Sequence, residues 1–280
     1  PSVQVWNGRL YIYPSHDRES GIAENDNGDH FDMNDYHVFS TDDLEAVVRG
    51  EKQLEDHGVI LRVSDIPWAG RQLWDCDVQE KDGKYYLYFP LKDRNDIFRF
   101  GVAVSDTPEG PFIPQPDPIR GSYSIDVAVL KDDVPADDNG KPAYYFYFGG
   151  LWGGQLQWYS LTPQATDNEE GCVVRGPAAD KKTPLFLPAD APAVPSMVVR
   201  MSDDVLQFAE APHAVVILDE NGEPMKAGDP HRFFEASWMH KHNGKYYFSY
   251  STGDSHYLCY AIGDTPYGPF KFQGVILDPV

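Results

Sequence analysis

The sequence is poor in cysteine and in positive charge, and it contains no long hydrophobic run. Its three cysteines, Cys76, Cys172 and Cys259, show no C-x-x-C spacing, which argues against a disulfide framework or a zinc site, and we expect reduced, buried thiols. Lysine and arginine number 23 against 44 acidic residues, so the cationic clusters that nucleic acid requires are missing. No apolar stretch approaches the ~20 residues of a membrane span, so no membrane partner is expected either.

A secretory signal peptide is also missing from the first residues. The sequence opens on a strand-like segment, Ser2–Trp6, and a targeting segment removed earlier would leave such a start. The composition therefore predicts a soluble protein, cytoplasmic or secreted with its signal removed, and leaves the choice between the two locations open.

Helical periodicity is hard to find, and the most informative feature is a repeated phrase. Ala103–Phe112 returns 158 residues later as Ala261–Phe270, with Asp-Thr-Pro and Gly-Pro-Phe at the same places. Each copy follows a shorter phrase, Gly-Lys-Tyr-Tyr, at Gly83–Tyr86 and at Gly244–Tyr247. Self-similarity of this kind indicates a repeat architecture.

Short alternating strands flank Asn-Gly or Asp-Gly pairs, a hairpin signal in which both turn residues need positive φ. Four such turns are predicted, at Asn7-Gly8, Asp82-Gly83, Gly140 and Asn243-Gly244. The third of them has a longer loop and belongs to a stretched hairpin that runs from Asp126 to Phe148.

A further strand is predicted after each hairpin. These strands are Tyr36–Phe39, Phe98–Val104, Gln155–Tyr159 and Tyr257–Ala261. A hairpin followed by another strand, several times over, is typical of four-stranded blades around an axis. The stretch Thr162–Asp204, rich in Pro, Ala and Asp, is interpreted as an insertion. A β-sandwich with incidental hairpins is the alternative fold.

Three hairpins carry a carboxylate at or near the start of their first strand, namely Asp77, Asp126 and Glu235. The first strand of a propeller blade is the innermost, so these side chains are predicted to converge on one central pocket. Asp126 and Glu235 stand among apolar strand residues, where desolvating a charge is costly. Carboxylates in such a setting are typical of functional sites.

Around these residues the sequence resembles family 43 of the glycoside hydrolases, the five-bladed propeller enzymes that include β-xylosidases and α-L-arabinofuranosidases. Trp74–Asp77 is similar to the family's Trp-Ala-Pro-Asp segment, although Asp-Cys replaces Ala-Pro. Ser124–Val127 is similar to its Ile-Asp-Pro segment, with valine in place of proline. Phe234–Trp238 looks like the segment that carries the proton donor.

The resemblance implies that residues 1–280 form one all-β catalytic domain, a five-bladed β-propeller that cleaves β-1,4-xylosidic or α-L-arabinofuranosyl linkages with inversion. Glu235 and Asp126 would be the catalytic pair, Glu235 as the general acid and Asp126 as the charge that raises the pKa of that acid. The substrate would be xylo-oligosaccharides or arabinose-decorated xylan. Calcium on the propeller axis would be the metal, although no Asp-x-Asp-x-Asp-Gly loop supplies ligands for it.

The resemblance also bears on the two ends of the sequence. The family's general base stands directly before a Pro-Ser pair like Pro1-Ser2, so it would precede the first residue. Most of the fifth blade, with a histidine near the metal and an arginine facing the sugar, would follow Val280. The resemblance therefore implies a portion of a longer enzyme.

Four residues are predicted to contact the substrate: Asp77, Trp74, Phe31 and Trp152. Aromatic faces suit the apolar C–H face of a sugar ring, and Asp77 suits a sugar hydroxyl or the support of the pocket. Trp152 lies in the segment Gly149–Gln155, whose glycines allow close approach to a ligand. A structural position in the core is the alternative for both tryptophans.

Other functions remain open from the sequence. A non-catalytic sugar-binding propeller would keep the pocket, but it would need neither Asp126 nor Glu235. A sister propeller enzyme acting on fructans would place its nucleophile in an Asn-Asp-Pro context, and an endo-arabinanase would need an open groove that sequence does not report. His16 and His256, each near a strand end, are predicted to be capped or solvated.

Overall fold

The computed structural model describes residues 2–133, 140–160, 165–167, 173–175, 187–253 and 255–279. The chain falls into two compact units, Pro1–Pro118 and Ile119–Val280. Each unit is built mainly from antiparallel strands, so the prediction of an all-β fold is confirmed.

The first unit contains ten strands in two sheets. They are β1 (Ser2–Trp6), β2 (Arg9–Tyr13), β3 (Ser15–Glu19), β4 (Phe31–Thr41), β5 (Glu55–Arg62), β6 (Ala69–Leu73), β7 (Asp77–Lys81), β8 (Lys84–Asp93), β9 (Phe98–Ser105) and β10 (Ile113–Pro114). The first sheet has the order β1-β2-β4-β3, with β5 also on β4, and the second has the order β10-β9-β8-β6, with β7 also on β8. Helix α1 (Leu44–Val48) and a 3₁₀ turn at Val63–Asp65 lie on either side of β5.

Each sheet of this unit contains five strands but is four strands wide, as a propeller blade is. The reason is that two of the five strands pair, one after the other, with the same edge of a central strand. Strand β4 pairs with β2 and β3 along one edge and with β5 along the other. Strand β8 likewise pairs with β6 and β7 along one edge and with β9 along the other. Fully buried side chains from both sheets form the core, among them Tyr13, Tyr36, Leu73, Val78 and Phe89, and burying each contributes about 1.5–3 kcal/mol.

The second unit contains eleven strands among its described residues. They are β11 (Ala128–Asp132), β12 (Ala143–Phe148), β13 (Ala165–Asp167), β14 (Val173–Arg175), β15 (Met197–Arg200), β16 (His213–Ala214), β17 (Ile217–Leu218), β18 (Phe233–His242), β19 (Lys245–Thr252), β20 (Leu258–Gly263) and β21 (Phe270–Leu277). One sheet has the order β11-β12-β15-β16, another β17-β21-β20-β19-β18, and β13 pairs with β14 alone. Helix α2 (Leu156–Ser160) follows a 3₁₀ turn at Trp152–Gly154.

The hairpin predictions are confirmed in both units. Each of the three Asn-Gly or Asp-Gly turns has positive φ at both residues: Asn7 and Gly8, Asp82 and Gly83, and Asn243 and Gly244. The stretched hairpin forms as β11 and β12, and most of its loop lies outside the described residues. Four blade-type sheets are therefore present in the part of the chain that the structure describes.

Two predictions in the second unit are wrong. The expected third strand at Gln155–Tyr159 is helix α2 instead, with Leu156, Trp158 and Tyr159 all buried. A short apolar run does not distinguish a buried strand from a buried helical turn. The third strand is β15, which pairs with β12 and lies inside Thr162–Asp204, so this stretch is not merely an insertion.

The cysteines agree with the prediction in the part of the chain that the structure describes. Cys76 and Cys259 are buried free thiols, as predicted, and Cys172 lies outside the described residues. In the described ranges, no helix has the length and apolar character needed to cross a membrane.

Candidate active site

The second unit brings the segments of Asp126 and Glu235 together. Asp126 Oδ2 accepts a 2.7 Å hydrogen bond from the backbone N–H of Ala236, the residue that follows Glu235. Both acidic side chains are half-buried. Asp126 and Ala236 both have φ 59°, a left-handed conformation that non-glycine residues rarely adopt. Strained backbone of this kind persists where surrounding contacts enforce it, and it is common at active sites.

Strand β18 is irregular at Glu235. Its pairing with β19 shifts register between Phe233 and Glu235 and again between Glu235 and Trp238, because Glu235 lies opposite Ser251 while Trp238 lies opposite Ser249. An irregularity of this kind re-aims side chains and is common beside active sites. The structure thus accounts for a half-buried carboxylate whose neighbours in the strand, Phe233, Phe234 and Ala236, are apolar.

The glycine-rich segment Gly149–Gln155 is hydrogen-bonded to both acid-bearing segments. Gly149 N–H donates to Ile125 O at 2.8 Å, and Leu151 N–H donates to Phe234 O at 3.1 Å. The Ser124 hydroxyl accepts from Gly150 N–H at 3.0 Å and donates to Gly154 O at 2.7 Å. These bonds tie the residues before Asp126 and before Glu235 to one loop.

Gly150 shows why this segment needs glycine. A Cβ at this position would lie 2.5 Å from Ile125 Cδ1 and 3.5 Å from Glu235 Cβ. The close approach that glycine permits here is therefore to the protein itself. Trp152 is half-buried on the same segment, and its contact with substrate stays a prediction.

Asp77 is buried in the first unit, with 1% of its surface exposed. Its Oδ1 accepts hydrogen bonds from Ser2 Oγ at 2.5 Å, Gln4 Nε2 at 3.0 Å and Val78 N–H at 2.7 Å. The carboxylate therefore ties β1 to the start of β7, which suits the support of a pocket better than contact with a sugar. Its convergence with Asp126 and Glu235, which belong to the other unit, stays a prediction.

Phe31 and Trp74 lie side by side in the first unit. Trp74 is 8% exposed and Phe31 is 46% exposed. Their ring centroids are 5.9 Å apart at 89°, and Trp74 Nε1 donates to Phe31 O at 3.1 Å. Trp74 thus orients Phe31, whose exposed ring is free to meet a ligand.

The Gln72 side chain holds the segment that leads into Phe31 through hydrogen bonds. This role was not predicted from the sequence. Its Nε2 donates to Gly28 O at 2.6 Å and to Phe31 O at 3.0 Å. Gln72 itself is 1% exposed and has φ 61°. No local sequence signal announces this role, because the partners lie more than 40 residues away.

A buried lysine, Lys92, also contacts the segment that leads into Phe31. The Lys92 side chain is fully buried, donates to Asn27 O at 3.1 Å and lies 6.0 Å from the Trp74 ring centroid. Burial lowers the pKa of Lys92 to about 8. Its nearest carboxylate, Asp29, is 3.9 Å away and is paired with Arg71 at 2.6 Å. Lys92 directly follows the apolar run Tyr85–Leu91, and its position at the end of that run is the sequence signal that could have identified it.

His16 and His256 were predicted to be capped or solvated, and both side chains are exposed. His16 lies beside Asp35 and His37, and the ligand atoms of these three residues lie within 4.8 Å of one another. Among the described residues this is the one group of three that could hold a metal ion. Two of its donors are nitrogen, whereas calcium takes oxygen ligands, so this group does not fit the predicted calcium.

Comparisons with known proteins identify the family to which the chain is similar. The family described as glycosyl hydrolases family 43 matches residues 1–193. A xylosidase/arabinosidase of Bacteroides ovatus is 62% identical over 281 residues, covering 100% of this chain and 78% of that protein. A β-xylosidase of Xylanibacter ruminicola is 56% identical, covering 100% of this chain and 79% of that protein.

Solved structures show the same relationship. A GH43 β-xylosidase/α-arabinofuranosidase from a compost microbial metagenome, in complex with xylotriose, matches with a TM-score of 0.85 and 54% identity, covering 100% of this chain and 78% of that one. The GH43_1 enzyme of Xanthomonas citri with xylotriose matches with a TM-score of 0.81 and 48% identity, covering 100% and 74%. The chain belongs to family 43 of the glycosyl hydrolases, which confirms the resemblance and the prediction of a glycosidase.

Proposed function

We propose that this glycosidase cleaves β-1,4-xylosidic or α-L-arabinofuranosyl linkages with inversion, and that Glu235 protonates the leaving oxygen. One observation carries the catalytic part of the proposal, the hydrogen bond from Ala236 N–H to Asp126 Oδ2. It fixes a second carboxylate against the residue that follows Glu235. The names of the relatives, xylosidase/arabinosidase and β-xylosidase, support the substrate class.

The chemistry requires an acid that holds a proton at neutral pH. Protonation of the leaving oxygen lowers the barrier by general acid catalysis, and a second carboxylate about 6.5–9.5 Å away activates water on the opposite face of the sugar. Asp126 has one oxygen committed to the backbone of the acid-bearing strand. Its negative charge there favours the protonated form of a neighbouring acid, so we assign Asp126 the tuning of Glu235 rather than attack on the sugar.

The substrate in this proposal is a xylo-oligosaccharide or an arabinose-decorated xylan. The structures of two relatives contain xylotriose, which supports an oligosaccharide ligand. In this chain the exposed ring of Phe31, oriented by Trp74, is the surface most suited to the C–H face of a sugar. Trp152 remains a proposed contact, and Asp77 is proposed to support the pocket.

We further propose that the four sheets are blades of a five-bladed propeller. The repeated hairpins with their left-handed turns support this arrangement, as does the four-strand width of each sheet in the first unit.

The test is Glu235→Gln assayed on two substrates. Hydrolysis of xylobiose is expected to fall about 10²- to 10⁴-fold, the usual contribution of a general acid. An aryl xyloside with an activated leaving group needs little protonation, so its hydrolysis should be largely retained. Glu220→Gln, an exposed acid of the same unit, should behave as the parent on both substrates. Equal losses on both substrates would show that Glu235 is not the acid.

Calcium remains a proposal from the family resemblance, and it is tested by removal. Exhaustive chelation should lower kcat on xylobiose, and added CaCl₂ should restore it. We expect the Michaelis constant to change little, because the compost relative was solved with xylotriose in a calcium-free form. Activity that is unchanged after chelation, with metal content checked by mass spectrometry, would remove calcium from the proposal.

A further inference from the structure

The hairpin of β3 and β4 carries a group of ligand atoms that the proposed hydrolysis does not use. His16 lies on β3, and Asp35 and His37 lie on β4. His16 Nδ1 is 3.0 Å from Asp35 Oδ1, and His37 Nε2 is 3.7 Å from the same oxygen. Two imidazoles therefore converge on one carboxylate.

The strand pairing explains how residues so far apart in sequence meet. Ser15 pairs with Tyr36, which puts the next residue, His16, beside Asp35. Asp35 and His37 are two positions apart on β4, and such residues point to the same face of a strand. The register shift between Ser15 and Asp17 falls at His16, and irregularities of this kind re-aim side chains.

His37 is held in the orientation that a metal ligand needs. Its Nδ1 lies 3.5 Å from Asp56 Oδ1 on β5, so its Nε2 is directed to Asp35. Its ring stacks on Phe39 at 18°, and 26% of the side chain is exposed. Ligating histidines commonly give their second nitrogen to a carboxylate, which fixes the ring and makes it more basic.

We propose that His16, Asp35 and His37 bind a divalent transition metal, with zinc as the best fit, and that the metal cross-links β3 to β4. Two imidazole nitrogens and one carboxylate oxygen suit zinc, nickel or copper, whereas calcium and magnesium prefer oxygen throughout. Three protein ligands leave a further position of the ion for water.

Metal binding requires only a small closure of the group. Bonds of about 2.0–2.2 Å to each donor bring the donors within roughly 4 Å of one another, and they now lie within 4.8 Å. His16 supplies the movement, because 57% of its side chain is exposed. The sequence analysis looked for zinc through the spacing of cysteines. That criterion cannot detect this site, because the ligands of the site come from two strands and include no cysteine.

The cross-link would act on the strand that begins with Phe31. Strand β4 runs from Phe31 to Thr41, and Asp35 and His37 are its fifth and seventh residues. A metal bound there would stiffen the hairpin beside the proposed sugar contact. It would also offset negative charge, since Asp35 and Asp56 lie on either side of His37.

The experiment is calorimetric titration of tag-free, chelator-stripped protein with ZnCl₂ and, separately, with CaCl₂. We expect one equivalent of zinc to bind at this site, and any heat from calcium to be the same in His16→Gln and His37→Gln as in the parent. His16→Gln and His37→Gln should each weaken zinc binding at least about tenfold, and Asp56→Asn should weaken it by about tenfold through the orientation of His37. His213→Gln is the matched control, because that side chain is 55% exposed and lies in the other unit; its zinc affinity should equal the parent's.

A second measurement keeps the result independent of folding. Cobalt(II) bound to these ligands should give visible absorption bands in the parent and in His213→Gln, and lose them in His16→Gln, with circular dichroism confirming that each variant is folded. Zinc that fails to bind, or that binds His16→Gln and His37→Gln as tightly as the parent, would overturn the proposal. Because neither readout is hydrolysis, failure here is distinct from failure of the proposed function.

Discussion

At the scale of single residues, the charge of Asp126 can be removed by substitution without removing the hydrogen bond that its side chain accepts. The side chain accepts from Ala236 N–H, and the left-handed backbone of both residues is held by this contact and by the bonds to the glycine-rich segment. An asparagine at position 126 would still offer an oxygen to that N–H. The substitution would therefore remove the charge and keep the local fold.

Asp126→Asn is predicted to shift the alkaline limb of the pH–kcat profile to lower pH. The neighbouring acid would lose the negative charge that favours its protonated form, so it would deprotonate earlier as the pH rises. The measurement is kcat on xylobiose across the pH range, with Asp126→Ala as the comparison that also loses the hydrogen bond. An alkaline limb that stays in place in Asp126→Asn would refute the tuning role.

At the scale of elements, the glycine-rich segment couples the two acid-bearing segments by contact as well as by hydrogen bonds. Ile125, directly before Asp126, fills the space that a side chain at Gly150 would need. Packed interiors tolerate added volume poorly, and overpacking usually costs about 1–3 kcal/mol. Added volume at Gly150 would therefore displace the residues around the acids rather than a distant part of the fold.

Gly150→Ala is predicted to lower kcat strongly and stability by about 1–3 kcal/mol. The new Cβ would lie 2.5 Å from Ile125 Cδ1, so the Asp126 segment must move. Ile125→Ala in the same chain removes the opposing atoms and should recover part of the activity, which a double-mutant cycle would measure as coupling. Simple additivity of the two substitutions would contradict the packing explanation.

Local chemistry explains which elements the sequence could predict. The turns at Asn7, Asp82 and Asn243 were predictable because a two-residue hairpin needs residues that accept positive φ. Helix α2 was not predictable, because a short segment whose apolar residues are Leu156, Trp158 and Tyr159 fits a buried strand equally well. Strand β15 was not predicted because it is only four residues long and lies in a stretch rich in proline, alanine and aspartate, a composition typical of loops.

Non-local contacts explain what was missed at the sites. The sequence pointed to Asp126 and Glu235 through their apolar neighbours, and the structure brings their segments together within one unit. The roles of Gln72 and Lys92 depend on a segment that precedes them by dozens of residues. The group of His16, Asp35 and His37 likewise exists only once β3 and β4 are paired.

At the scale of the whole molecule, burial of ionisable groups sets the response to alkaline pH. Burial raises the pKa of Tyr36 and Tyr147 well above the ordinary value, and it also raises those of Tyr13 and Tyr250. In the unfolded chain these tyrosines lose protons near pH 10. Above that pH the folded state binds more protons than the unfolded state, so stability falls as pH rises.

Lys92 acts in the opposite direction at lower pH. Its folded-state pKa of about 8 lies below the ordinary 10.5, so between these values the unfolded chain binds more protons and stability rises with pH. For this fully buried side chain the gain is up to about 3 kcal/mol. Stability is therefore expected to rise first as the pH increases from about 8. It is expected to fall only above about pH 10, where the unfolded chain begins to lose its tyrosine protons.

The urea midpoint of unfolding is therefore predicted to rise between pH 8 and about pH 10 and then to fall steeply. Lys92→Met keeps an apolar chain over Trp74 without the charge, so it should remove the rise and leave the fall. Lys271→Met is the matched control, because that lysine is exposed and should leave both limbs as in the parent. A rise that persists in Lys92→Met would assign it to another group, and a midpoint that holds steady above pH 10 would contradict the role of the buried tyrosines.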